Sequence, residues 1–262
     1  MNNNQATLQK LEQMRLFGMH RAFRQTMDTG VKNQFTPDEL ITHLVDAEYD
    51  DRYNRRLIRL VKAARFRYKA CFEELDFSLR RNLDKNQLLR LSDCQWIERH
   101  QDIIITGKTG VGKSFICSAL GHQGCCYGFK VGYFQSSKLF SKLKLAKADG
   151  TYLKELRKIE KLDVFILDDF CLKPLDAQNR FSLLEILEDR HGRKSTLFAS
   201  QLPIKRWHES IGDPSIADAI CDRLIHRAHR IDLKGESVRR LYAAKTKAGE
   251  KKSKSKKAHG KR

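Results

Sequence analysis

The segment GKTGVGKS, at residues 107–114, is the feature that most restricts what this chain can fold into. It matches the pattern G-x-x-x-x-G-K-S/T in full, and it stands between the apolar run DIIIT and an apolar helical segment that starts SFICSAL. Glycines in such a turn let successive backbone N–H groups face inward at the start of a helix, where the helix dipole also favours negative charge. The pattern therefore predicts a strand, a phosphate-binding loop and a helix in direct succession.

The chain beyond this loop repeats the alternation of short apolar runs and helical segments. After DIIIT, the runs are KVGYF, LDVFIL, TLFAS and HRIDL. All are short and most are almost continuously apolar, which is typical of parallel strands that are covered on both faces by crossover helices. We therefore expect an α/β fold in which helices flank a parallel sheet.

The first 75 residues have a different character, since they are rich in helix formers and are interrupted by the breaker DTGVKNQF. After the breaker, Thr36 is expected to cap a helix that continues to Phe72, with Pro37 at its first position and Glu39 closing a capping box. The sequence thus predicts a small all-helical domain at residues 1–75 and an α/β domain at 76–240. A basic tail at 241–262 is too polar to offset the entropy of ordering, and we expect it to be disordered.

The charge of the chain points to a polyanionic partner. Its 262 residues hold 51 Lys and Arg against 32 Asp and Glu, a formal excess of 19 positive charges. Nucleic acid is the leading candidate, ahead of an acidic membrane surface. No apolar run is long enough to span a bilayer and the N terminus lacks the pattern of a secretory signal. We therefore expect a cytoplasmic protein with no membrane partner, whose seven cysteines are reduced thiols.

Part of the positive charge recurs at helical spacing between residues 49 and 68. Basic side chains at intervals of three and four fall on one face of a helix: Arg52, Arg55, Arg56, Arg59 and Lys62. An apolar stripe that runs from Tyr53 to Tyr68 is expected alongside them. Such a face can follow a phosphate backbone with little base readout, which predicts salt-sensitive binding of DNA. The alternative is an ordinary solvated face.

Side chains near the loop have the chemistry to bind ATP with its metal. The predicted nucleotide-binding residues of the loop are Gly107, Lys108, Thr109, Gly110, Val111, Gly112, Lys113, Ser114 and Phe115. Among them, Lys113 would reach the β- and γ-phosphates, and the Ser114 hydroxyl would bind Mg²⁺. Asp168 and Asp169 end an apolar strand, where we expect Asp168 to hold Mg²⁺ and Asp169 to polarise the attacking water. Hydrolysis is favoured over transfer to a metabolite hydroxyl.

Two further positions could complete such a site. The fourth apolar run ends in Ser200 and Gln201, either of which could hydrogen-bond the γ-phosphate or the attacking water. Arg223 follows Asp222 on an amphipathic helix, where many oligomeric ATPases carry an arginine that reaches the γ-phosphate held by a neighbouring subunit. The alternatives are an ordinary exit from a strand and a surface pair between Asp222 and Arg223.

Several segments between about Leu8 and Arg240 have a specific pattern: LFGMHRAF, VKAARFRYKACFEELDF, FILDDF, LLEILEDR, SQLP with WHE, and DRLIHRAHRI followed by GES. Together they resemble the IstB-like transposition helper ATPases, relatives of the DnaC helicase loaders in the AAA+ superfamily. The resemblance implies a P-loop AAA+ core behind the helical domain, the site roles given above, and Arg239 as a second sensor of the nucleotide. Relatives usually carry prolines at Lys108 and Thr109, and neither change removes a phosphate contact.

The resemblance also implies a function. Such a protein is an Mg-dependent ATPase that forms an ATP-dependent homo-oligomer on double-stranded DNA, helps to select the target of an insertion sequence, and regulates the integrase-type transposase of the same element. Two alternatives remain open. One is a loader of a replicative helicase, and the other is a non-catalytic DNA-coating module whose nucleotide only switches its assembly.

Overall fold

The computed structural model describes residues 3–30, 35–225, 228–238 and 240. Contacts between residues divide the chain into two compact units, Met1–Arg59 and Leu60–Arg262. The division falls nearer the N terminus than the boundary at residue 75 that the sequence suggested. Arg239 and the basic tail at 241–262 lie outside the described residues.

The N-terminal part of the described chain is helical. Its helices are α1 Asn3–Gln13, α2 Phe17–Asp28 and α3 Pro37–Ala64. The start of α3 has the predicted capping box, because the Thr36 N–H donates to Glu39 Oε2 at 2.8 Å and the Glu39 N–H donates to Thr36 Oγ1 at 3.3 Å. These two bonds satisfy N–H groups that have no partner within the helix. The predicted start of this helix is confirmed.

Glu48 connects α3 to the start of α2 from a buried position. Its carboxylate accepts hydrogen bonds from the N–H groups of Gly18 at 2.8 Å and Met19 at 3.3 Å. Glycine is required at position 18 because a Cβ atom there would meet the carbonyl oxygen of Ala47 at 2.2 Å. Burial opposes the ionisation of Glu48, but Arg52 and the two N–H groups outweigh it and lower its pKa. A negative charge at a helix N-terminus thus holds α2 against α3.

The end of α3 corrects two expectations. The helix stops at Ala64 and Arg65 has a left-handed backbone with φ of 57°, so the predicted continuation to Phe72 is wrong. The helix ends there because a residue at positive φ does not continue right-handed α-helical geometry. The expected apolar stripe is also interrupted, since Tyr53 is 44% exposed and Tyr68 lies beyond the helix.

The second unit alternates strands and helices. Its strands are β1 Asp102–Gly107, β2 Val131–Gln135, β3 Val164–Phe170, β4 Ser195–Ser200 and β5 Ala228–Leu233. Its α-helices are α4 Lys85–Ser92, α5 Gln95–Glu98, α6 Lys113–Cys126, α7 Ser136–Ala148, α8 Tyr152–Glu160, α9 Ala177–Arg190, α10 Trp207–Ile211 and α11 Pro214–Ile225. Short 3₁₀ helices cover Phe72–Glu74 and Ile204–Arg206. Each predicted apolar run coincides with one of these strands.

Within the described residues, the five strands form one parallel sheet in the order β2-β3-β4-β1-β5. Ile104 of β1 pairs with Phe198 of β4 on one side and with Arg230 of β5 on the other. Strand β4 therefore separates the strand that precedes the phosphate loop from β3, which carries the acidic pair. Because the strands are parallel, their carboxyl ends meet at one edge of the sheet, and the loops that follow them share a surface. The predicted α/β fold is confirmed.

The outer edge of β5 is covered by two amide side chains. Asn82 Nδ2 donates to the carbonyl oxygen of Asp232 at 3.0 Å, and Gln87 Nε2 donates to the carbonyl oxygen of Arg230 at 3.0 Å. The two carbonyl groups are two residues apart and face the same way, as alternate groups of a strand do. The amides therefore donate to carbonyl oxygens that would otherwise be able to accept the N–H groups of a further strand.

A buried apolar cluster joins β3 and β4 to the helices α7 to α11. At its centre Trp207 is fully buried, and its ring centroid lies 4.9 Å from that of Phe170 and 6.2 Å from that of Phe198. The indole N–H donates to the carbonyl oxygen of Leu202 at 3.1 Å, so this large side chain is buried without an unsatisfied donor. The cluster fixes the carboxyl ends of β3 and β4, where polar side chains emerge.

Two charged side chains are buried at the opposite, amino ends of the strands. Arg190 donates to backbone carbonyl oxygens, including that of Leu162 at 3.0 Å, and burial lowers its pKa to about 10. Asp102 Oδ1 accepts the N–H of Thr196 at 2.6 Å, which ties the start of β1 to the start of β4. Burial raises the pKa of Asp102 to about 7, although the Thr196 N–H and the charge of Arg190 act in the opposite direction.

The described part of the chain contains neither a membrane-spanning helix nor a disulfide bond. No helix in it combines the length and the apolar character that crossing a bilayer requires. All seven cysteines lie within the described residues, and no disulfide joins any of them.

Candidate functional site

The phosphate loop connects β1 to α6, and its glycines adopt backbone conformations that other residues avoid. Gly107, Gly110 and Gly112 have φ of 147°, 87° and 101°. Space is also limited, since a Cβ atom on Gly107 would meet the carbonyl oxygen of Leu233 at 2.5 Å and one on Gly110 would meet Ser237 Oγ at 2.2 Å. The glycines are therefore required both by the turn and by the chain that packs against it.

Lys113 is the first residue of α6, and it is 6% exposed. Its Nζ donates hydrogen bonds to the carbonyl oxygens of Gly107 at 2.7 Å and Lys108 at 2.9 Å. The ammonium group thus lies against the loop, at a helix N-terminus whose dipole adds to its positive charge. A polyphosphate in this loop would meet a fixed cation together with the N–H groups of the first helical turn.

The acidic pair lies at the carboxyl end of β3. The register between β3 and β4 shifts between Leu167 and Phe170, which marks a bulge at the two aspartates. Asp169 has a positive φ of 58°, a conformation that is uncommon outside glycine but that Asp tolerates. Successive side chains of a regular strand point to opposite faces. The bulge instead brings both Asp168 and Asp169 into contact with one side chain, that of Arg67.

Three side chains hold these two carboxylates. Arg67 Nη1 lies 3.3 Å from Asp168 Oδ2 and 3.2 Å from Asp169 Oδ2. The Tyr133 hydroxyl donates to Asp168 Oδ2, and Gln135 Nε2 donates to Asp169 Oδ2 at 3.3 Å. The acidic pair is thus positioned by β2 and by the segment after α3, neither of which the sequence connected with this site.

Ser114 belongs to the same network as Asp168. Its hydroxyl interacts with the phenol of Tyr133, whose pKa is raised by burial and by the neighbouring Asp168 carboxylate. Tyr133 therefore links the two residues that the sequence predicts as ligands of Mg²⁺. Sequence reasoning missed Tyr133, because it lies inside an apolar run that predicts only a strand.

The oxygen atoms of this network fit the predicted magnesium site. Hydroxyl and carboxylate oxygens are the ligands that Mg²⁺ prefers, and the two carboxylates already surround one positive charge, that of Arg67. Ser114 and Asp168 are the residues that would hold the ion. In the described chain no cluster of three or more His, Cys, Asp or Glu side chains is placed to hold a metal. The ion would therefore take further oxygen ligands from a bound phosphate and from water.

Ser200 and Gln201 come at the end of β4, but their surroundings differ. The Ser200 hydroxyl is fully buried, where it donates to the carbonyl oxygen of Phe170 at 2.8 Å and accepts the N–H of Leu202 at 3.1 Å. Gln201 faces the phosphate loop, and its Oε1 accepts the hydroxyl of Thr109 at 2.6 Å. Of the two candidates that the sequence left open, Gln201 is the one whose side chain adjoins the loop.

A cavity of about 660 Å³ brings these groups together, and this volume is sufficient for a nucleotide. Asp169 and Gln201 line it, as do six residues of the loop and of the first turn of α6: Thr109, Gly110, Gly112, Lys113, Ser114 and Phe115. The ring centroids of Phe115 and Tyr68 lie 6.2 Å apart, so part of the wall is aromatic. The cavity thus combines an apolar wall with converging polar groups.

Most lining residues that the sequence missed come from the segment between α3 and α4. They include Arg67, Tyr68, Asp76, Leu79 and Arg81. Arg81 is buried, and it donates to the carbonyl oxygens of Val111 at 3.3 Å and Asp76 at 2.9 Å. This segment contains most of VKAARFRYKACFEELDF, which begins in the last turn of α3 and is one of the stretches that resemble the helper ATPases. The sequence therefore indicated that the segment is important, but it did not indicate where the segment lies in the fold.

Of the two remaining predicted arginines, Arg223 lies within the described residues and Arg239 does not. Arg239 follows Val238, whose N–H donates to the carbonyl oxygen of Gly110 at 2.9 Å, but Arg239 itself lies outside the described residues. Arg223 lies on α11, where it pairs with Glu188 Oε1 at 3.0 Å. In the described chain, Arg223 therefore does not contribute to the cavity of its own subunit.

The predicted DNA-contacting residues all lie on α3. Four of them and Arg15, from the turn between α1 and α2, line a concavity of about 500 Å³, which we call the arginine pocket: Arg15, Arg52, Arg55, Arg56 and Arg59. Arg52 Nε lies 2.7 Å from Glu48 Oε1, and Arg55 Nε lies 2.6 Å from Asp51 Oδ2. Lys62, nearer the end of α3, does not line the pocket. Part of the predicted basic face is thus neutralised within the chain.

A parallel sheet with a glycine-rich loop after β1 and an acidic pair at the carboxyl end of β3 defines a phosphate-loop nucleotide-binding protein. Residues 9–247 match the family described as IstB-like ATP binding protein, and the chain belongs to this family. An insertion sequence ATP-binding protein of Sinorhizobium fredii is 44% identical over 234 residues, which cover 89% of this chain and 96% of the relative. Another, of Pseudomonas fluorescens, is 39% identical over 200 residues, which cover 76% of this chain and 87% of the relative. The predicted membership is confirmed, and ATP binding is a property of the family.

Solved structures of AAA+ proteins share the fold. The crystal structure of DnaI has a TM-score of 0.54 and 19% sequence identity, and the match covers 68% of this chain and 92% of that one. The replication initiator DnaA bound to AMPPCP and single-stranded DNA has a TM-score of 0.52 and 15% identity, over 66% of this chain and 52% of that one. The predicted AAA+ fold is confirmed.

Proposed function

We propose that this protein is an ATP-dependent helper of an integrase-type transposase. It binds double-stranded DNA, assembles on it as an ATP-bound homo-oligomer, recruits or activates the transposase, and hydrolyses ATP to reset the assembly. The observation that carries the proposal is the single cavity lined by the phosphate loop, Asp169 and Gln201, in a chain whose relatives are insertion sequence ATP-binding proteins. The excess of 19 positive charges supports DNA as the polymer on which it assembles.

In this proposal, the loop and the aromatic wall bind the nucleotide. The loop N–H groups and Lys113 bind the phosphate oxygens, where both the charge of the ammonium group and the dipole of α6 are favourable. The rings of Tyr68 and Phe115 offer apolar surface to the base. Arg81 joins the segment after α3 to the phosphate loop, through its bonds to the carbonyl oxygens of Asp76 and Val111.

The acidic pair then serves hydrolysis. Mg²⁺, held by Ser114 and Asp168, would supply positive charge that offsets the charge on the phosphates. Asp169 would orient the attacking water and accept its proton, since it is only partly buried and lines the cavity. Gln201 would hydrogen-bond the γ-phosphate or the same water, after exchanging its contact with Thr109.

A neighbouring subunit would supply the arginine finger. Arg223 is not among the described residues that line its own cavity, and its side chain is held by Glu188 through a partly exposed ion pair of low strength. An arginine in this position can stabilise charge in a second subunit's site only after assembly. Hydrolysis should therefore increase with protein concentration and with DNA.

The arginine pocket is the proposed contact with DNA phosphates. Glu48 pairs with Arg52 and Asp51 pairs with Arg55, which offsets only part of the charge of the five guanidinium groups and leaves positive charge in excess. A concavity with this charge attracts a phosphate backbone and does not require a particular base sequence. Arg15, which the sequence did not single out, belongs to this contact.

Nucleotide binding and phosphate release by the full-length protein test the proposed activity. Lys113→Ala should lose binding of a fluorescent ATP analogue and keep its circular dichroism spectrum, because the ammonium group lies against the loop, where it donates to the carbonyl oxygens of Gly107 and Lys108, and not in the apolar core. Lys108→Ala is the matched control, since it removes the same charge from the same loop but its side chain does not line the cavity. Wild-type protein should release phosphate faster when double-stranded DNA is added. Normal nucleotide binding by Lys113→Ala would contradict the proposed site.

Salt dependence tests the proposed DNA contact. Replacing Arg56 and Arg59 with Gln should weaken binding about equally for unrelated sequences and reduce the slope of log affinity against log salt by about one for each phosphate that the variant no longer binds. Lys154→Gln with Arg157→Gln removes two exposed charges from α8 and should leave the slope unchanged. An unchanged slope in the α3 variant would show that DNA is held elsewhere.

Capture of the partner tests the biological role. The ATP-bound protein on DNA should retain the transposase of the same insertion sequence, and Lys113→Ala should not. Retention of a hexameric replicative helicase instead would favour a helicase loader. DNA binding without any phosphate release would favour a passive coating module.

A further inference from the structure

Arg67 has a position at the acidic pair that the proposed chemistry does not use. It lies between α3 and the 3₁₀ helix Phe72–Glu74, and its Nη1 contacts Asp168 Oδ2 at 3.3 Å and Asp169 Oδ2 at 3.2 Å. Guanidinium groups often bind one carboxylate through two nitrogen atoms. Here one nitrogen atom contacts two carboxylates, which is the arrangement of a single cation between two oxygen ligands.

The surroundings of the pair explain why a cation is needed there. Asp168 is fully buried, and Asp169 places a second carboxylate beside it. Neighbouring carboxylates repel each other, and burial adds a desolvation cost to each charge. The Tyr133 hydroxyl and the Asp169 N–H donate to Asp168 but bring no net charge. Arg67 supplies the compensating positive charge.

Arg67 is also able to leave this position. Its side chain is 38% exposed, in contrast to the fully buried side chain of Asp168. The guanidinium carbon lies 5.7 Å from the centroid of the Tyr68 ring, and both residues line the cavity. A cation can remain on an aromatic face after it leaves its carboxylates. The side chain therefore has a second favourable place within reach.

We propose that Arg67 is a built-in counter-ion of the acidic pair, which the metal that accompanies the nucleotide displaces. The inference rests on the proposed function, since it takes Ser114 and Asp168 as the residues that hold the metal. Arg67 and a metal ion held by Ser114 and Asp168 exclude each other, because both are positive and both would bind the Asp168 carboxylate. Metal binding therefore includes the cost of breaking two ion pairs, and the site favours a metal that arrives with phosphate over a metal alone.

Binding of Mn²⁺ to the full-length protein without nucleotide tests the proposal, with the electron paramagnetic resonance signal of free Mn²⁺ as the readout. Mn²⁺ serves as the probe because it takes the same oxygen ligands as Mg²⁺. Removing two partly exposed ion pairs should tighten binding, so Arg67→Gln should bind Mn²⁺ about tenfold more tightly than wild type. Arg67→Lys, which keeps the positive charge, should stay close to wild type. Lys69→Gln is the matched control, since it removes an exposed charge two residues away and should have no effect.

A second measurement uses the nucleotide. The Mg²⁺ concentration that gives half-maximal binding of a fluorescent ATP analogue should fall in Arg67→Gln and not in Lys69→Gln. If Arg67→Gln does not fold, Arg67→Met provides a neutral variant whose unbranched apolar stem can still pack on Tyr68. Equal or weaker Mn²⁺ binding by the neutral variant than by wild type overturns the proposal.

Failure of this inference can be distinguished from failure of the proposed metal site. Asp168→Asn should abolish Mn²⁺ binding in both the wild-type and the Arg67→Gln background. If it does so while wild type and Arg67→Gln bind Mn²⁺ equally, only the role of Arg67 is refuted. If Asp168→Asn leaves binding intact in both backgrounds, the metal site is elsewhere, and both the proposed function of Asp168 and the role of Arg67 are refuted.

Discussion

Asp102 should make the stability of this protein depend on pH in a direction opposite to that of most carboxylates. Its side chain is buried at the start of β1, and its Oδ1 accepts the N–H of Thr196. Burial raises its pKa from the ordinary value of 3.8 to about 7. The folded protein therefore binds a proton at Asp102 in a pH range where the unfolded chain has already released it.

The sign and size of the effect follow from this difference. Between about pH 4 and about pH 7 the folded state holds more protons at Asp102 than the unfolded state, so the contribution of this group to the free energy of unfolding falls as the pH rises. A difference of about 3 pKa units corresponds to about 4 kcal/mol. The decrease in the free energy of unfolding that results from burying the ionised carboxylate is complete above about pH 7 and absent below about pH 4.

Asp102→Asn removes the titration and keeps an oxygen atom that can accept the Thr196 N–H. We therefore expect the variant and the wild type to have similar free energies of unfolding at pH 4. At pH 8 we expect the variant to be more stable by up to about 4 kcal/mol. Urea unfolding monitored by tryptophan fluorescence and circular dichroism at several pH values measures this difference, and the contributions of all other titrating groups cancel in it.

Asp189→Asn is the matched control, because it makes the same chemical change at an exposed position on α9. This control measures the effect of exchanging an aspartate for an asparagine at an exposed position. If the difference between Asp102→Asn and the wild type does not change with pH, then Asp102 is ionised at the same pH in the folded and unfolded states. The burial argument would then be refuted.

Three further variants test the site and the core. Asp169→Asn should keep nucleotide and DNA binding but release phosphate roughly 100-fold more slowly, and unchanged turnover would show that Asp169 does not activate water. Arg223→Ala should bind nucleotide normally without releasing phosphate, and mixing it with Lys113→Ala subunits should restore part of the activity, whereas Glu188→Ala should lose the same ion pair and retain hydrolysis. A strictly additive loss in the mixture would place Arg223 in its own subunit's site. Trp207→Ala should lower the free energy of unfolding by about 4 kcal/mol in urea titrations, because it leaves a cavity between two buried aromatic rings, and a loss below about 1 kcal/mol would contradict the tight packing of this cluster.

The strands β1, β3 and β4 were predictable because each is buried on both faces and is therefore apolar along most of its length, whereas exposed and buried residues alternate along β5. The order of loop, acidic pair and polar strand end also followed from the sequence, since parallel strands bring their carboxyl ends to one edge. The sequence predicted that Asp168 and Asp169 end their strand. The structure continues it through a bulge to Phe170, and this bulge determines where Asp168 and Asp169 point. A bulge depends on backbone geometry, which the apolar pattern does not report.

Contacts between distant parts of the chain could not be predicted in the same way. Arg67 meets Asp168 across 101 positions, and Thr109 meets Gln201 across 92. Such contacts leave no local pattern, so the sequence identified three of these four residues as site residues but could not pair them, and it missed Arg67. In the sequence, basic and apolar residues continue to alternate past Ala64, and no Gly or Pro indicates that the helix ends there. Because the helix was predicted to continue, the sequence did not indicate that the segment after Ala64 forms one wall of the cavity.

The amide side chains on the outer edge of β5 have a consequence for how this protein behaves in concentrated solution. An uncovered edge strand is a template on which a strand of another copy can add, and repetition of that step leads to aggregates. Asn82 and Gln87 occupy the carbonyl groups of Asp232 and Arg230 that such a strand would use. Growth of the sheet from one molecule to the next is thereby blocked along this edge. The ATP-dependent assembly proposed above would therefore use surfaces other than this edge.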